Sequence, residues 1–406
     1  MRITNNYIYR QSSEGLERSN ERYLDTNRKI IEQSSIVKAS DDPVGAGQVL
    51  RYEANNRLLD QYKSNGTSAK NGLEYQHVAL TSLNDLLDKA RSLVIQSENG
   101  ANSQSDLDSI AQELSSIRDT AADLMNSKNS DGDYLFSGTD TKSPPFQLQS
   151  NGRYEYFGNE GKKFAQLAET VSIPVSESGK SLFQDVPTRR TFTSVVSSGV
   201  ATMSNFKVGD QGAYDLFVKN NYDAINPALN QYLLTTTAGS PDSFTLRDAV
   251  GTAIASGDYT SGEPISVFGM EVTMDGVAGS VIDISLDPPV RDNVLNEMQK
   301  AIDALKDPSL NDNARQSALR DASVSMISTQ STMGAGLSNI GSGLNTITQI
   351  ESYQATNKLS NQSASSNISG LDIGAASAEL AQAEAAISAS QLLFTRLTSL
   401  SLFNVL

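Results

Sequence analysis

Hydrophobic residues recur at seven-residue intervals near both ends of the chain. Tyr9, Leu16, Tyr23, Ile30 and Val37 form the first series, and Ile373, Leu380, Ile387 and Phe394 form the last. Ala376, Ala383, Ser390 and Leu397 occupy the positions between the members of the second series. Such a repeat keeps one seam of a helix facing a partner helix. Small residues in the seam permit close approach but bury little apolar area, so neither helix carries much driving force alone. Polar residues, Asn20, Asn27, Ser34 and Ser390, are expected in the same seams. The simplest partner for one end is the other, giving paired terminal coiled-coil helices that run antiparallel and wait for neighbouring copies.

The periodicity continues inward. Ser40-Asp41-Asp42-Pro43 breaks the first helix and starts another, with Asp42 as cap and Pro43 in the first turn. Leu59, Gly66, Leu73, Leu80, Leu87 and Val94 then keep strict register, accompanied by Tyr62, Ala69, Gln76, Leu83 and Ala90. A helix from Pro43 to about Gln96 would be roughly 80 Å long at ~1.5 Å per residue. Ser105 and Asp108 resemble a capping box opening a return arm through Leu107, Ile110, Leu114, Ile117, Ala121 and Leu124. Helical pattern reappears at Val294, Met298, Ile302 and Leu305. A second long helix carries Leu319, Met326, Met333, Ile340 and Ile347. Residues 357–372, rich in Ser and Asn, read as a loosened join before the terminal helix.

Between these helices the pattern changes. Ten of the twelve Phe lie between Phe136 and Phe268, and nine of the eleven Pro between Pro144 and Pro289. Alternation in Tyr154–Asn159, Ser266–Gly276 and Ser280–Leu286 predicts strands, with Asp275-Gly276 as a turn. A short helix is expected near Ala224–Tyr232. The predicted fold is mainly α with a β-rich insertion. Terminal helices (1–40 with 358–406) enclose a rod of long helices (41–133 with 290–357), which encloses a β domain (134–289).

Charge narrows the partners. The 406 residues hold 47 acidic and 32 basic side chains, a net charge of −15. Such a surface repels nucleic acid and anionic membranes. The acid lies in the middle: residues 1–37 hold six basic and five acidic residues, and residues 358–406 hold two and three. Cysteine is absent, which excludes disulfides and thiolate metal sites. No apolar run approaches the roughly 18 residues needed to span a bilayer. The N-terminus lacks the apolar core of a secretory signal, leaving a cytosolic protein or one exported without a cleaved signal.

Candidate chemistry is sparse. His77 is the one histidine, and without a second His or any Cys it completes neither a triad nor a zinc site. Asn129, Asp131 and Asp133 alternate like the opening of a calcium loop, but Tyr134 and Asp140 stand where Gly and Glu are needed. Gly334-Ala335-Gly336 and Gly341-Ser342-Gly343 lack the strand and Lys of a phosphate loop and sit inside a heptad run. Close helix packing is the better account of them. No catalytic, cofactor or metal residue is expected, and the expected site is an assembly interface.

Several motifs carry a resemblance. Arg2-Ile3-Thr4-Asn5, Ser40-Asp41-Asp42-Pro43, and Gly132-Asp133-Tyr134-Leu135-Phe136-Ser137-Gly138-Thr139 before Pro144-Pro145-Phe146 are similar to the flagellin superfamily. So are Leu392-Leu393-Phe394-Thr395-Arg396-Leu397 and Leu400–Asn404 at the end, and Gly257-Asp258-Tyr259 with Phe268-Gly269 in the middle. The resemblance is strongest to the superfamily's junction members. It implies a structural, non-enzymatic subunit of the bacterial flagellum that joins hook to filament. Implied partners are another hook-associated junction protein, flagellin, copies of the chain in a ring, and an export chaperone on the C-terminal helix. Export would use the flagellar type III apparatus. A flagellin filament subunit is the alternative, and an enzyme sited in the β insertion or a helical adhesin are weaker ones.

Overall fold

The computed structural model describes the backbone of residues 2–403 and the side chains of residue 7 and residues 9–396. The motifs Arg2–Asn5 and Leu400–Asn404, and the expected seam residue Leu397, therefore lie outside the described side chains.

Seven α-helices are described: α1 (Arg2–Glu32), α2 (Pro43–Ser97), α3 (Gln104–Met125), α4 (Gln211–Asn221), α5 (Val294–Lys306), α6 (Asp312–Ser369) and α7 (Ile373–Phe403). Strands occupy the interval between α3 and α5. They begin with β1 (Phe146–Leu148), β2 (Tyr154–Tyr156), β3 (Phe164–Gln166), β4 (Ser172–Pro174) and β5 (Val186–Pro187). The larger set is β6 (Phe192–Ser198), β7 (Thr202–Val208), β8 (Gln231–Thr237), β9 (Ser243–Arg247), β10 (Ala253–Asp258), β11 (Pro264–Val267), β12 (Met270–Asp275) and β13 (Val281–Leu286). The short β14 (Arg291–Asp292) pairs with β5. The fold is thus mainly α with a β-rich insertion, as the periodicity predicts.

The chain divides into two compact units. One holds residues 1–70, 165–173 and 344–406, and the other holds 71–164 and 174–343. In the second unit the heptad residues form the core. Leu73, Leu80, Leu87 and Val94 are buried on α2, and Leu319, Met326, Met333 and Ile340 on α6. Leu107, Ile110, Leu114 and Ile117 of α3 and Val294, Met298, Ile302 and Leu305 of α5 are buried as well. Gln330 on α6 donates to Asp88 on α2 at 2.8 Å, and Lys89 pairs with Glu113 of α3 at 2.7 Å, so polar contacts border this core.

Gly336 explains one glycine pair. A Cβ there would stand 2.7 Å from Leu182 Cδ2, so the missing side chain lets Leu182 seat on α6. Gln76, a polar residue in the α2 seam, is 2% exposed. Its amide nitrogen donates to the Leu135 carbonyl at 3.3 Å, and its oxygen accepts from the Glu177 amide at 3.1 Å. This ties both flanks of the first strands to one point on α2.

The β region builds two sheets of three or more strands, with strand orders β10-β9-β8-β13-β6 and β11-β12-β7. Alternation places Met270, Val272 and Met274 of β12 and Ile282, Ile284 and Leu286 of β13 in one core with Tyr214 and Phe217 of α4. Tyr214 is fully buried and donates to the Thr191 carbonyl at 2.6 Å.

Four local expectations need correction. The capping box is Ser103 with Asp106, not Ser105 with Asp108: Asp106 Oδ2 accepts from the Ser103 amide at 2.9 Å, and Ser103 Oγ accepts from the Asp106 amide at 3.3 Å. The same spacing occurs twice, and only the earlier serine precedes the helix, at its N-cap. Ser266–Gly276 is not one strand but the hairpin β11–β12, folded at Phe268-Gly269, where φ is +49° and +80°. The short helix expected near Ala224–Tyr232 is a single 3-10 turn rather than an α-helix. Helix α4 comes earlier, capped by Asp210 accepting from the Ala213 amide at 3.0 Å. A 3-10 turn over Pro227–Asn230 then leads straight into β8. Residues before proline disfavour helix, and the side chain of buried Asn230 both donates to and accepts from the Asp223 backbone. Finally, residues 357–369 continue α6, so the join shrinks to Gly370–Asp372.

Candidate assembly interface

Helices α1 and α7 pair antiparallel. At one end the Tyr9 and Phe394 rings are 5.2 Å apart, and at the other a β-bridge joins Ser34 to Gly370. The Ser35 amide also donates to the Ser369 carbonyl at 2.7 Å.

Both segments of this pair change direction at the same level, and acids shape the turns. Asp41 Oδ2 accepts from the Lys38 and Val37 amides at 2.9 and 3.1 Å, and these bonds hold its carboxyl below the usual range. Asp42 caps α2 through the Val44 and Gly45 amides at 3.1 and 2.9 Å. Asp372 caps α7 through the Ala375 amide at 3.1 Å. Gly45 leaves room for this cap: a Cβ there would meet Asp42 Oδ2 and lie 2.8 Å from Ile36 Cδ1.

The seam itself is only half covered. Its fully buried positions are small: Thr26, Ala376 and Ala383. Leu16, Tyr23, Ile30, Val37, Leu380, Ile387 and Phe394 are half-buried, and Tyr9 remains 47% exposed. Ile373, expected in the seam, is 57% exposed because it opens α7 before a partner turn is available. Asn20 is likewise exposed, since the helix turns Ser19 rather than Asn20 inward, whereas Asn27, Ser34 and Ser390 are half-buried. Fully withdrawing a Leu or Ile from water contributes roughly 1.5–3 kcal/mol, so much of that stabilisation is unrealised in a single copy.

Further apolar side chains add to the uncovered surface. Leu24 and Ile31 on α1 and Leu392 and Leu393 on α7 are all more than half exposed. The strict heptad series passes over them because they lie beside it. A signal for two of them exists in the sequence: Leu24 and Ile31 also stand seven residues apart, one position after Tyr23 and Ile30.

The minor chemical candidates fall elsewhere. His77 is exposed on α2, and the Asn129 side chain accepts from the Asp131 and Asp133 amides at 3.0 and 2.9 Å in a polar turn. Asp133 is then held below the usual carboxylate range, chiefly by Lys142 at 2.5 Å. Among the described residues no group of acids and histidine is placed to hold a metal ion, and no helix is long and apolar enough to cross a membrane.

Comparison with known proteins shows what this chain is similar to. Residues 3–141 match the bacterial flagellin N-terminal helical region. Flagellar hook-associated protein 3 of Salmonella typhimurium is 25% identical over 186 residues, 46% of this chain and 58% of the relative. The chain therefore spans less than two thirds of that relative's length. A Xenorhabdus nematophila flagellin is 39% identical over 79 residues, 20% of this chain and 25% of the flagellin. Among solved structures, hook-associated protein-3 of Legionella pneumophila superposes with a TM-score of 0.58 at 19% identity, covering 78% of this chain and 97% of that one. FlgL of Xanthomonas campestris gives 0.56 at 21% identity, covering 77% and 98%. The N-terminal third of this chain is thus similar to the flagellin N-terminal region, and its fold is similar to that of the hook-associated proteins.

Proposed function

We propose that the chain is a structural adaptor subunit of the bacterial flagellum, joining the hook to the flagellin filament. The observation that carries this reading is the half-covered seam of α1 and α7, whose apolar side chains are completed only by neighbours. Copies of the chain form a ring through Tyr9, Leu16, Tyr23, Ile30, Val37, Ile373, Leu380, Ile387, Phe394 and Leu397. One side of the ring meets the other hook-associated junction protein, and the opposite side meets flagellin. Residues 1–40 with 358–406 assemble, 41–133 with 290–357 support them, and 134–289 form the outer face. The chain is exported without a cleaved signal peptide, its C-terminal helix held beforehand by an export chaperone, and acts outside the cell. The role is mechanical and non-enzymatic, and uses no cofactor, membrane or nucleic acid.

The short, more identical match to flagellin over 79 residues favours the filament subunit as a second reading. Deletion separates the two. Loss of the adaptor lets intact flagellin escape into the medium, whereas loss of a filament subunit removes the flagellin itself. A chain lacking residues 380–406 is expected to fold but to be absent from purified hook–filament junctions, and its normal incorporation would refute the seam mechanism.

A further inference from the structure

One cavity lies within the β-containing unit. It measures about 360 Å³ and is lined by β7, the start of β6 and the first turns of α6. Arg189 frames it: Nε donates to Asp321 Oδ1 at 2.6 Å and Nη2 to Ser317 Oγ at 2.7 Å, with the side chain 6% exposed. The other charges are mostly committed. Lys207 pairs with Glu271 at 3.2 Å, and Asp287 accepts from Thr191 Oγ1 at 2.5 Å.

Arg320 differs. It has no carboxylate partner among the described residues, and its guanidinium donates only to Gln316 Oε1, at 3.3 Å. Asn205 and Asn313 line the same cavity with side-chain amides that make no hydrogen bond among the described residues. The Phe206 ring, braced by Phe192 at 5.8 Å and 41% exposed, also lines it.

We propose that this cavity binds an acidic sugar of the uronic-acid class. Each part of such a ligand has a counterpart. A guanidinium without a carboxylate partner matches a carboxylate in bidentate fashion. Planar amides donate to and accept from ring hydroxyls. An aromatic face covers the apolar C–H face of a pyranose. A few convergent polar groups beside an apolar wall, in a concavity of this size, describe a small-molecule site. A simple anion would use Arg320 but leave Phe206 and the amides idle, and a neutral sugar would leave Arg320 unpaired.

The test is calorimetric titration of the full chain with glucuronate, against glucose and acetate at constant ionic strength. Glucuronate is expected to bind, with glucose and acetate at least tenfold weaker. R320Q and F206A should each weaken glucuronate at least tenfold while leaving the circular dichroism and thermal midpoint unchanged. If R320Q does not fold, R320K keeps the charge but loses the fork, and should still bind at least tenfold more weakly. No binding of glucuronate, equal binding of acetate or of glucose, or unaltered affinity in the folded Arg320 variant would each overturn the proposal.

Discussion

The rings of Tyr9 and Phe394 lie 5.2 Å apart and tilted by 47°, joining residues near opposite ends of a 406-residue chain. This contact is one fixed point in the register of α1 against α7; the Ser34–Gly370 bridge is another. Closing so long a loop is entropically costly, and one partly exposed aromatic pair offsets little of that cost. We expect a coupling of about 0.5–1.5 kcal/mol between the two rings. Hydrogen exchange of α1 amides in Tyr9→Ala, Phe394→Ala and the double variant measures it. Strictly additive effects would mean that the rings do not help to fix the register.

Gln76 should be among the costliest single positions in the β-containing unit. Gln76→Leu keeps much of the volume but strands the Leu135 carbonyl and the Glu177 amide, both now satisfied by one side chain. Each buried group left without a partner costs about 1–3 kcal/mol. Urea unfolding followed by circular dichroism should show that loss, and a neutral effect would indicate that water replaces the amide.

Two glycines of α6 should respond with opposite signs. At Gly334 an added Cβ would meet no neighbouring atom within 4 Å, so Gly334→Ala gains helix propensity, up to about 1 kcal/mol. Gly336→Ala gains the same propensity but forces Leu182 aside from 2.7 Å, an overpacking that costs about 1–3 kcal/mol. Thermal midpoints should rise for the first and fall for the second.

Ser103→Ala should destabilise α3 by about 1 kcal/mol, the usual worth of an N-cap. Ser105→Ala, on the exposed first turn, should change stability by only a small fraction of that. Comparable losses from both would contradict the observed capping box.

Glu297 gives a pH signature. Its side chain is 4% exposed, and burial pushes its carboxyl above the ordinary 4.5 despite Lys300 at 2.7 Å. A raised folded value means that the folded state holds the proton more tightly than the unfolded chain. Glu297 therefore costs stability at neutral pH and costs progressively less as pH falls through its folded value toward 4.5. Nearby Asp292 runs the other way. Burial would raise its carboxyl, but hydrogen bonds from Asn296, the Asn293 amide and Arg153 outweigh burial and hold it below 3.8. Its contribution is present above 3.8 and is lost as pH falls through the lower folded value. Glu297→Gln should be more stable than the parent chain at pH 7, with the gap closing on acidification. A gap independent of pH would mean that the acid is not the cause.

Much of the helical plan was legible because burial on long helices follows a strict period. Every member of the α2 series from Leu73 to Val94, and of the α6 series from Leu319 to Ile347, is buried. The α2 start at Pro43 and the Asp42 cap were legible too, since a cap acts over three residues. Ile373 shows the limit. It fits the heptad perfectly, yet stands at a helix end where no neighbouring turn covers it. Leu24 and Ile31 fail in the opposite sense: they belong to no seam, but form part of the apolar surface that a single copy leaves open.

Residue order alone was enough to say where the long helices lie, where most of them break, that the middle is β-rich, and that the terminal stripes are too thin to stand alone. Those properties arise from local propensity and from periodicity, which need no distant partner. The sheet orders, the folding of Ser266–Gly276 into a hairpin, the use of Gln76 as an anchor, and the convergence of Arg320, Phe206 and Asn205 on one cavity came only with the folded chain. Most of these depend on residues far apart in the chain meeting in space, and the hairpin depends on a backbone turn at Phe268 that its side chain does not announce. Period and composition carry no record of either.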